Sequence, residues 1–222
     1  MAAAALRTGR RPEGVRLVAV SKTVPVEAVR EAYLAGQRDF GENKVQEALQ
    51  KMDAGADMSI GWHLIGHLQS NKAKKAAARA DWIHAIDSVD LLRRVDEGAV
   101  AAGRVVNVLI QVDLALETTK HGAPVESVPG ILDASTGLRG ARLCGLMLLP
   151  PLVEDPEQAR PWFRQLRDWR DRWVAAGTPP AALHELSMGM SHDFEVAIEE
   201  GATMVRVGSA IFGTRVYAPT GH

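Results

Sequence analysis

The chain has 222 residues, 46% hydrophobic and 24% charged, with a formal net charge of -1. That balance describes a soluble globular core large enough for one α/β barrel, and it offers no global attraction to nucleic acid or an anionic membrane. The single cysteine, Cys144, excludes an intrachain disulfide and a multi-cysteine metal site, and no run reaches the length of a membrane span.

At the N-terminus, Ala2–Leu6 is too short for the apolar core of a signal peptide, and Arg7, Arg10 and Arg11 follow it. A cytoplasmic location is therefore the default expectation. From there strand-like and helix-like segments alternate to the end. Strands are expected at Arg16–Val20, Arg38–Phe40, Trp62–Ile65, Trp82–Ala85, Val105–Val112, Arg142–Leu148, Ala182–Leu186 and Met204–Val207. Most are short apolar runs, as in parallel strands covered on both faces. Cys144 falls in one of them and reads as an inert core thiol.

Helical patterns fill the intervals. Val26–Ala35 has Pro25 near its first turn and Gly36 after its last. Asn71–Lys75 is a short basic stretch in an Ala-rich helical segment and reads as a solvated face. Ser88–Ala102 carries Leu91, Leu92, Val95 and Ala99 at helical spacing before Gly103. Pro156–Ala176 sets Trp162, Leu166, Trp169 and Trp173 on one stripe, a pattern that core packing explains without nucleotide stacking. A helix is expected over His192–Glu200. The pairs Pro150-Pro151 and Pro179-Pro180 are too brief to part domains, so residues 1–222 are expected to form a single TIM (β/α)8 barrel. An open doubly wound sheet is disfavoured because no Gly-x-Gly-x-x-Gly turn follows the first strand.

Lys22 stands at the end of the first strand. Taken alone it reads as an ordinary surface lysine at a strand exit. The loops after the last two strands change that reading, because such loops form the usual phosphate site of these barrels. In Leu186-Ser-Met-Gly-Met-Ser191, Gly189 frees backbone amides to turn toward an anion, and Ser191 falls at or near a helix N-cap. Gly208 and Ser209, just past the last strand, supply the second half of a phosphate cup. A desolvated strand-end lysine opposite that cup suits a pyridoxal phosphate Schiff base.

Alternation sends Arg206 and Met204 to one face of the last strand and Val205 and Val207 to the other. A buried arginine needs an acceptor, either a core carboxylate or the pyridine nitrogen of a cofactor. His63 is expected to line the rim from the third strand, and His84 and His184 to be satisfied barrel histidines. His63 and His67 are four apart but lack the glutamate of a zinc helix, and no metal site is expected.

Five segments together carry a resemblance. Val18-Ala-Val-Ser-Lys22-Thr, Asp39-Phe-Gly-Glu-Asn43, Trp62-His-Leu-Ile-Gly66 with Leu68-Gln-Ser-Asn-Lys72, Leu186-Ser-Met-Gly-Met-Ser191 and Met204-Val-Arg-Val-Gly-Ser-Ala-Ile-Phe-Gly213 resemble the pyridoxal phosphate homeostasis proteins, relatives of the barrel domain of alanine racemase. The likeness runs in order from Val15 to Arg215. It implies that Lys22 holds pyridoxal 5'-phosphate as a Schiff base and that Asn43 and His63 line its ring. It places Ser191, Gly208 and Ser209 on the phosphate and Arg206 at the pyridine nitrogen. It also implies a carrier and regulator of vitamin B6 and amino-acid pools without an established reaction. Its partners would be the cofactor, free amino acids and, in transient transfer, enzymes that use the cofactor. Two departures stand out: His67 replaces the usual proline, and Met1–Arg11 is shorter than the usual N-terminal helix, leaving one flank of the barrel less covered.

The alternative is an amino-acid racemase with the same cofactor. It needs a second acid/base group opposite Lys22, which alanine racemases take from a tyrosine supported by an added β-domain. Here the tyrosines are Tyr33, on an expected helix, and Tyr217, in the terminal tail. Without that domain a monomer is expected, and weak racemase activity is compatible with the residues.

Overall fold

Short apolar strands that bury both faces need a layer of helices outside them and side chains filling the ring within. The computed structural model, which describes residues 1–115 and 121–213, has that arrangement. The strands are β1 (Arg16–Val20), β2 (Asp39–Glu42), β3 (Gly61–Leu64), β4 (Trp82–Ile86), β5 (Val106–Asp113), β6 (Ala123–Pro124), β7 (Ala141–Met147), β8 (Glu185–Met190) and β9 (Met204–Val207). Neighbours pair in parallel, β1 with both β2 and β9, and β4 with β5, so the ring closes. The two-residue β6 pairs only with the end of β5, which leaves eight strands in the ring.

The helices are α1 (Ala2–Arg7), α2 (Val26–Leu34), α3 (Val45–Ala54), α4 (Ala73–Ala77), α5 (Val89–Ala101), α6 (Val128–Ser135), α7 (Arg160–Ala175), α8 (Phe194–Glu199) and α9 (Ser209–Phe212). Ser88 caps α5 by accepting from Leu91 N, and Leu91, Leu92, Val95 and Ala99 form its buried face. In α7, Phe163, Leu166 and Trp173 are buried while Trp162 and Trp169 pack partly buried against the same core. That stripe is core. Each fully buried Phe or Leu contributes about 1.5–3 kcal/mol. In α4 the alanines face inward and Lys74 and Lys75 outward, the solvated face expected.

Two apolar regions result. Val205 and Val207 belong to the layer between barrel and helices, whereas Met204 joins Trp82, Leu109, Cys144 and Met147 in a separate cluster. The alternation expected of the last strand holds. Burial raises the Cys144 thiol pKa to about 11, as an inert core thiol requires.

Three local expectations need correction. The seventh strand of the ring starts at Glu185 rather than Ala182, after a short 3-10 turn at Pro180–Ala182, and runs on to Met190. Its pairing with β9 shifts register between Ser187 and Met190. Gly189 sits there at φ +91°, and a Cβ would lie 2.5 Å from Ala197 Cβ. Gly189 therefore lets α8 pack onto a distorted strand. His184 is exposed, bonding Ala181 O rather than filling the barrel. The flank near the N-terminus is covered: Ala4 and Ala5 of α1 are fully buried, Arg7 pairs with Glu195 and Glu199, and Arg10 donates to Ile198 O and Ala202 O.

Candidate functional site

A cavity of about 510 Å³ opens at the rim formed by the C-terminal ends of the strands. Six of the seven expected site residues line it: Lys22, Asn43, Ser191, Arg206, Gly208 and Ser209. Lys22 lies two residues past β1. Ser21 N continues the ladder by donating to Gly41 O, and the chain turns at Thr23, whose φ is +64°. Asn43 directly follows β2, and the loop after β3 closes against it. At Gly66 a Cβ would stand 2.4 Å from Asn43 O, so this approach requires glycine.

The two distal loops are stitched together. Gly208 N donates to Ser191 Oγ at 3.1 Å. Ser191 is therefore not the cap of α8. Asp193 precedes that helix and accepts instead from Met190 N at 2.6 Å. With one lone pair of Ser191 engaged by an amide, its O–H remains a donor toward the cavity. Beyond Gly208, the amides of Ile211 and Phe212 bond Gly208 O. Ser209 N and Ala210 N precede the first helical bond of α9.

Arg206 is 3% exposed. It donates to Ser187 Oγ at 2.6 Å and to Leu148 O at 2.8 Å, a hydroxyl and a carbonyl rather than a carboxylate. Burial pushes its pKa down to about 10, which still leaves it charged at neutral pH.

Below Arg206 a column of polar groups runs through the barrel. Ser187 Oγ meets His84 Nδ1 at 3.0 Å, His84 Nε2 meets His63 Nδ1 at 2.9 Å, and His63 Nε2 meets Asp39 Oδ1 at 2.9 Å. Donor counting fixes one direction. Ser187 receives from Arg206 and donates to His84, His84 donates to His63, and His63 donates to the Asp39 carboxylate. Both histidines are neutral in this arrangement. Desolvation lowers the His63 pKa below its usual value and the His84 pKa well below it. His63 is thus placed differently from the expectation: it is buried, stacks on Trp82, and does not line the cavity.

Gln111, His67, His121 and His192 also line the cavity. Gln111 Nε2 donates to His121 O. The His67 and His121 rings stack with centroids 3.6 Å apart. His192 donates to Glu154 O at 2.7 Å. Gln111 had a signal in the sequence, as a polar residue interrupting the apolar run from Val108 to Val112. His121 had none. Tyr33 lies on α2 and accepts from Ser59 N, away from the cavity, while Tyr217 and Arg215 fall outside the described residues. Among the described residues no three His, Cys, Asp or Glu side chains are arranged so that they could hold a metal ion, and no helix is long and apolar enough to cross a membrane.

Comparison with known proteins agrees with this geometry. The model of the alanine racemase N-terminal domain family matches residues 3–216. The pyridoxal phosphate homeostasis protein of Aquifex aeolicus is 44% identical over 95% of this chain and 92% of its own length. That of Escherichia coli is 40% identical over 98% of this chain and 93% of its own. PipY of Synechococcus elongatus, solved with pyridoxal phosphate bound, superposes with a TM-score of 0.84 at 42% identity, covering 95% of this chain and 98% of PipY. An alanine racemase of Clostridium difficile, 16% identical with a TM-score of 0.74, shares the barrel over 94% of this chain and 54% of its own. With a closed parallel barrel, a rim cavity holding Lys22 and Arg206, and identity sustained along nearly its full length, this chain belongs to the pyridoxal phosphate homeostasis proteins.

Proposed function

We propose that the rim cavity binds pyridoxal 5'-phosphate, held through Lys22, and that the protein acts as a carrier in vitamin B6 homeostasis rather than as an enzyme with its own reaction. The observation that carries this is the convergence of a strand-end amine, a buried guanidinium and a two-loop cup of hydroxyls and amides on one cavity. Its volume of about 510 Å³ lies within the range for small-molecule sites. The donors suit the group. Ser191, Gly208 and Ser209 offer hydroxyl and amide donors for a phosphate, and Asn43 stands at the side of the cavity. Arg206, which keeps its proton at neutral pH, would donate to a ring nitrogen without protonating it. His63 acts one layer down, through His84 and Ser187, on the orientation of Arg206. When bound, the group supplies an aldehyde that condenses with a primary amine.

The racemase reading requires groups that move a proton on the face opposite Lys22. Interconversion of D- and L-alanine at about 1–10³ per second, the ordinary enzyme range, would promote it if Lys22→Ala abolished the turnover.

Borohydride reduction of the protein with bound cofactor, followed by peptide mapping, is expected to place the pyridoxyl group on Lys22. Label found mainly on Lys72, Lys74 or Lys75 overturns the assignment. A second measurement tests the cup. Replacing both Ser191 and Ser209 with alanine should weaken pyridoxal phosphate far more than pyridoxal, since hydrogen bonds to a charged group contribute about 1.5–3 kcal/mol each. Equal losses would reduce the serines to loop stitching.

A further inference from the structure

The turn that carries Lys22 is built on a second lysine. Lys51 of α3 is 7% exposed, and its ammonium donates to Ser21 O at 2.6 Å, Glu42 Oε1 at 2.7 Å and Glu47 Oε1 at 2.8 Å. Ser21 Oγ donates to the same Glu42 oxygen at 2.6 Å. On the other side of Lys22, Thr23 N donates to Glu47 Oε1 at 2.5 Å. Among the described residues Thr23 is the one non-glycine with positive φ, at +64°. A branched residue persists in that conformation only where its surroundings impose it. The peptides before and after Lys22 are thus held by one cluster on β2 and α3, and none of the three charged residues lines the cavity.

Stability alone does not account for such a cluster. Glu42 is fully buried, and its Oε2 has no hydrogen-bond partner among the described residues. Burying the Glu42 carboxylate with the Lys51 ammonium is no better for folding than packing apolar side chains of similar volume. What the ionic arrangement adds is a fixed backbone on both sides of one residue.

We infer that Lys51, with Glu42 and Glu47, is the positioning device for Lys22, setting the backbone so that the reactive amine meets the cofactor aldehyde in one geometry. The inference rests on the reading that Lys22 carries the cofactor. Attachment forms a C=N bond between Lys22 Nζ and the aldehyde carbon and releases the aldehyde oxygen as water.

The test compares wild type, Lys51→Met and Glu47→Gln in two assays. One is the rate at which pyridoxal phosphate becomes reductively trappable on Lys22. The other is affinity for pyridoxine 5'-phosphate, which keeps the ring and phosphate but has an alcohol in place of the aldehyde. Misplacing a reacting group by about 1 Å costs on the order of a hundredfold. Both variants should therefore slow attachment by about ten- to a hundredfold while binding pyridoxine 5'-phosphate within about twofold of wild type. Should Lys51→Met fail to fold, Glu47→Gln, at a half-buried position, carries the test. Attachment at the wild-type rate, or attachment and analogue affinity falling together, overturns the positioning role. Wild-type protein that takes no label on Lys22 overturns the underlying reading instead, and the inference with it.

Discussion

Two buried polar clusters lie on opposite faces of the same sheet, and they handle polarity differently. Outside the ring, Lys51 forms ion pairs with Glu42 and Glu47, and one carboxylate oxygen is left without a partner among the described residues. Inside it, Ser187, His84 and His63 link Arg206 to Asp39 through neutral groups that each donate once and accept once. The ionic cluster grips backbone atoms beside Lys22. The neutral column grips a side chain, Arg206. Charge gives strength without direction, and the column gives direction with little buried charge.

Three measurements break or sharpen this contrast. Lys51→Met removes the cation from the buried Glu42 carboxylate and the half-buried Glu47 carboxylate, and the loss of a buried charge's partner costs about 3–5 kcal/mol. Urea unfolding should show it as a lowered midpoint. Ser187→Ala leaves Arg206 and His84 each short of one partner, at about 1–3 kcal/mol. If the serine variant lost as much as the lysine variant, the distinction between ionic and neutral clusters would fail.

The third measurement is pH. His63 and His84 have folded pKa values below the unfolded value near 6.5, so the unfolded chain binds protons that the folded column refuses. Their contribution is complete above that value and is lost as pH falls below it, with a slope of up to about 1.4 kcal/mol per pH unit for each histidine. Glu42 has the opposite sign. Desolvation raises its pKa, so its contribution is present in acid and is lost as pH rises through the folded value. Unfolding free energy followed from pH 8 to pH 5 should fall, and His84→Gln should flatten the curve. An unchanged slope would mean that the column is not held neutral.

Much of the barrel is written locally. β9 has the bounds that its alternation implies, and Ser88 and Gly103 mark the ends of α5 as capping chemistry requires. Lys22 is legible because a strand end in a parallel barrel points to one rim, and Arg206 because alternation sets it on the face opposite Val205 and Val207. The remainder depends on register between distant segments. His63 pairs in register with Trp82, the first residue of β4, which sets it low in the barrel; the short run around it says nothing of height. Ser187 reads as loop in the sequence because the apolar run ends at Leu186 and Gly189 follows, yet the strand passes through both with a shift of register. His84 and Ser187 are 103 residues apart, and no spacing rule connects them. The clamp on Lys22 is equally nonlocal, since Ser21 and Lys51 are 30 residues apart.

The fixed direction of the column bears on how this protein can change over generations. Each of its members answers the proton of the one before, so a replacement at His63, His84 or Ser187 that cannot both donate and accept leaves its neighbours short of a partner. The three should behave as a single inherited character, gained or lost together, while the rim residues around them diverge one at a time.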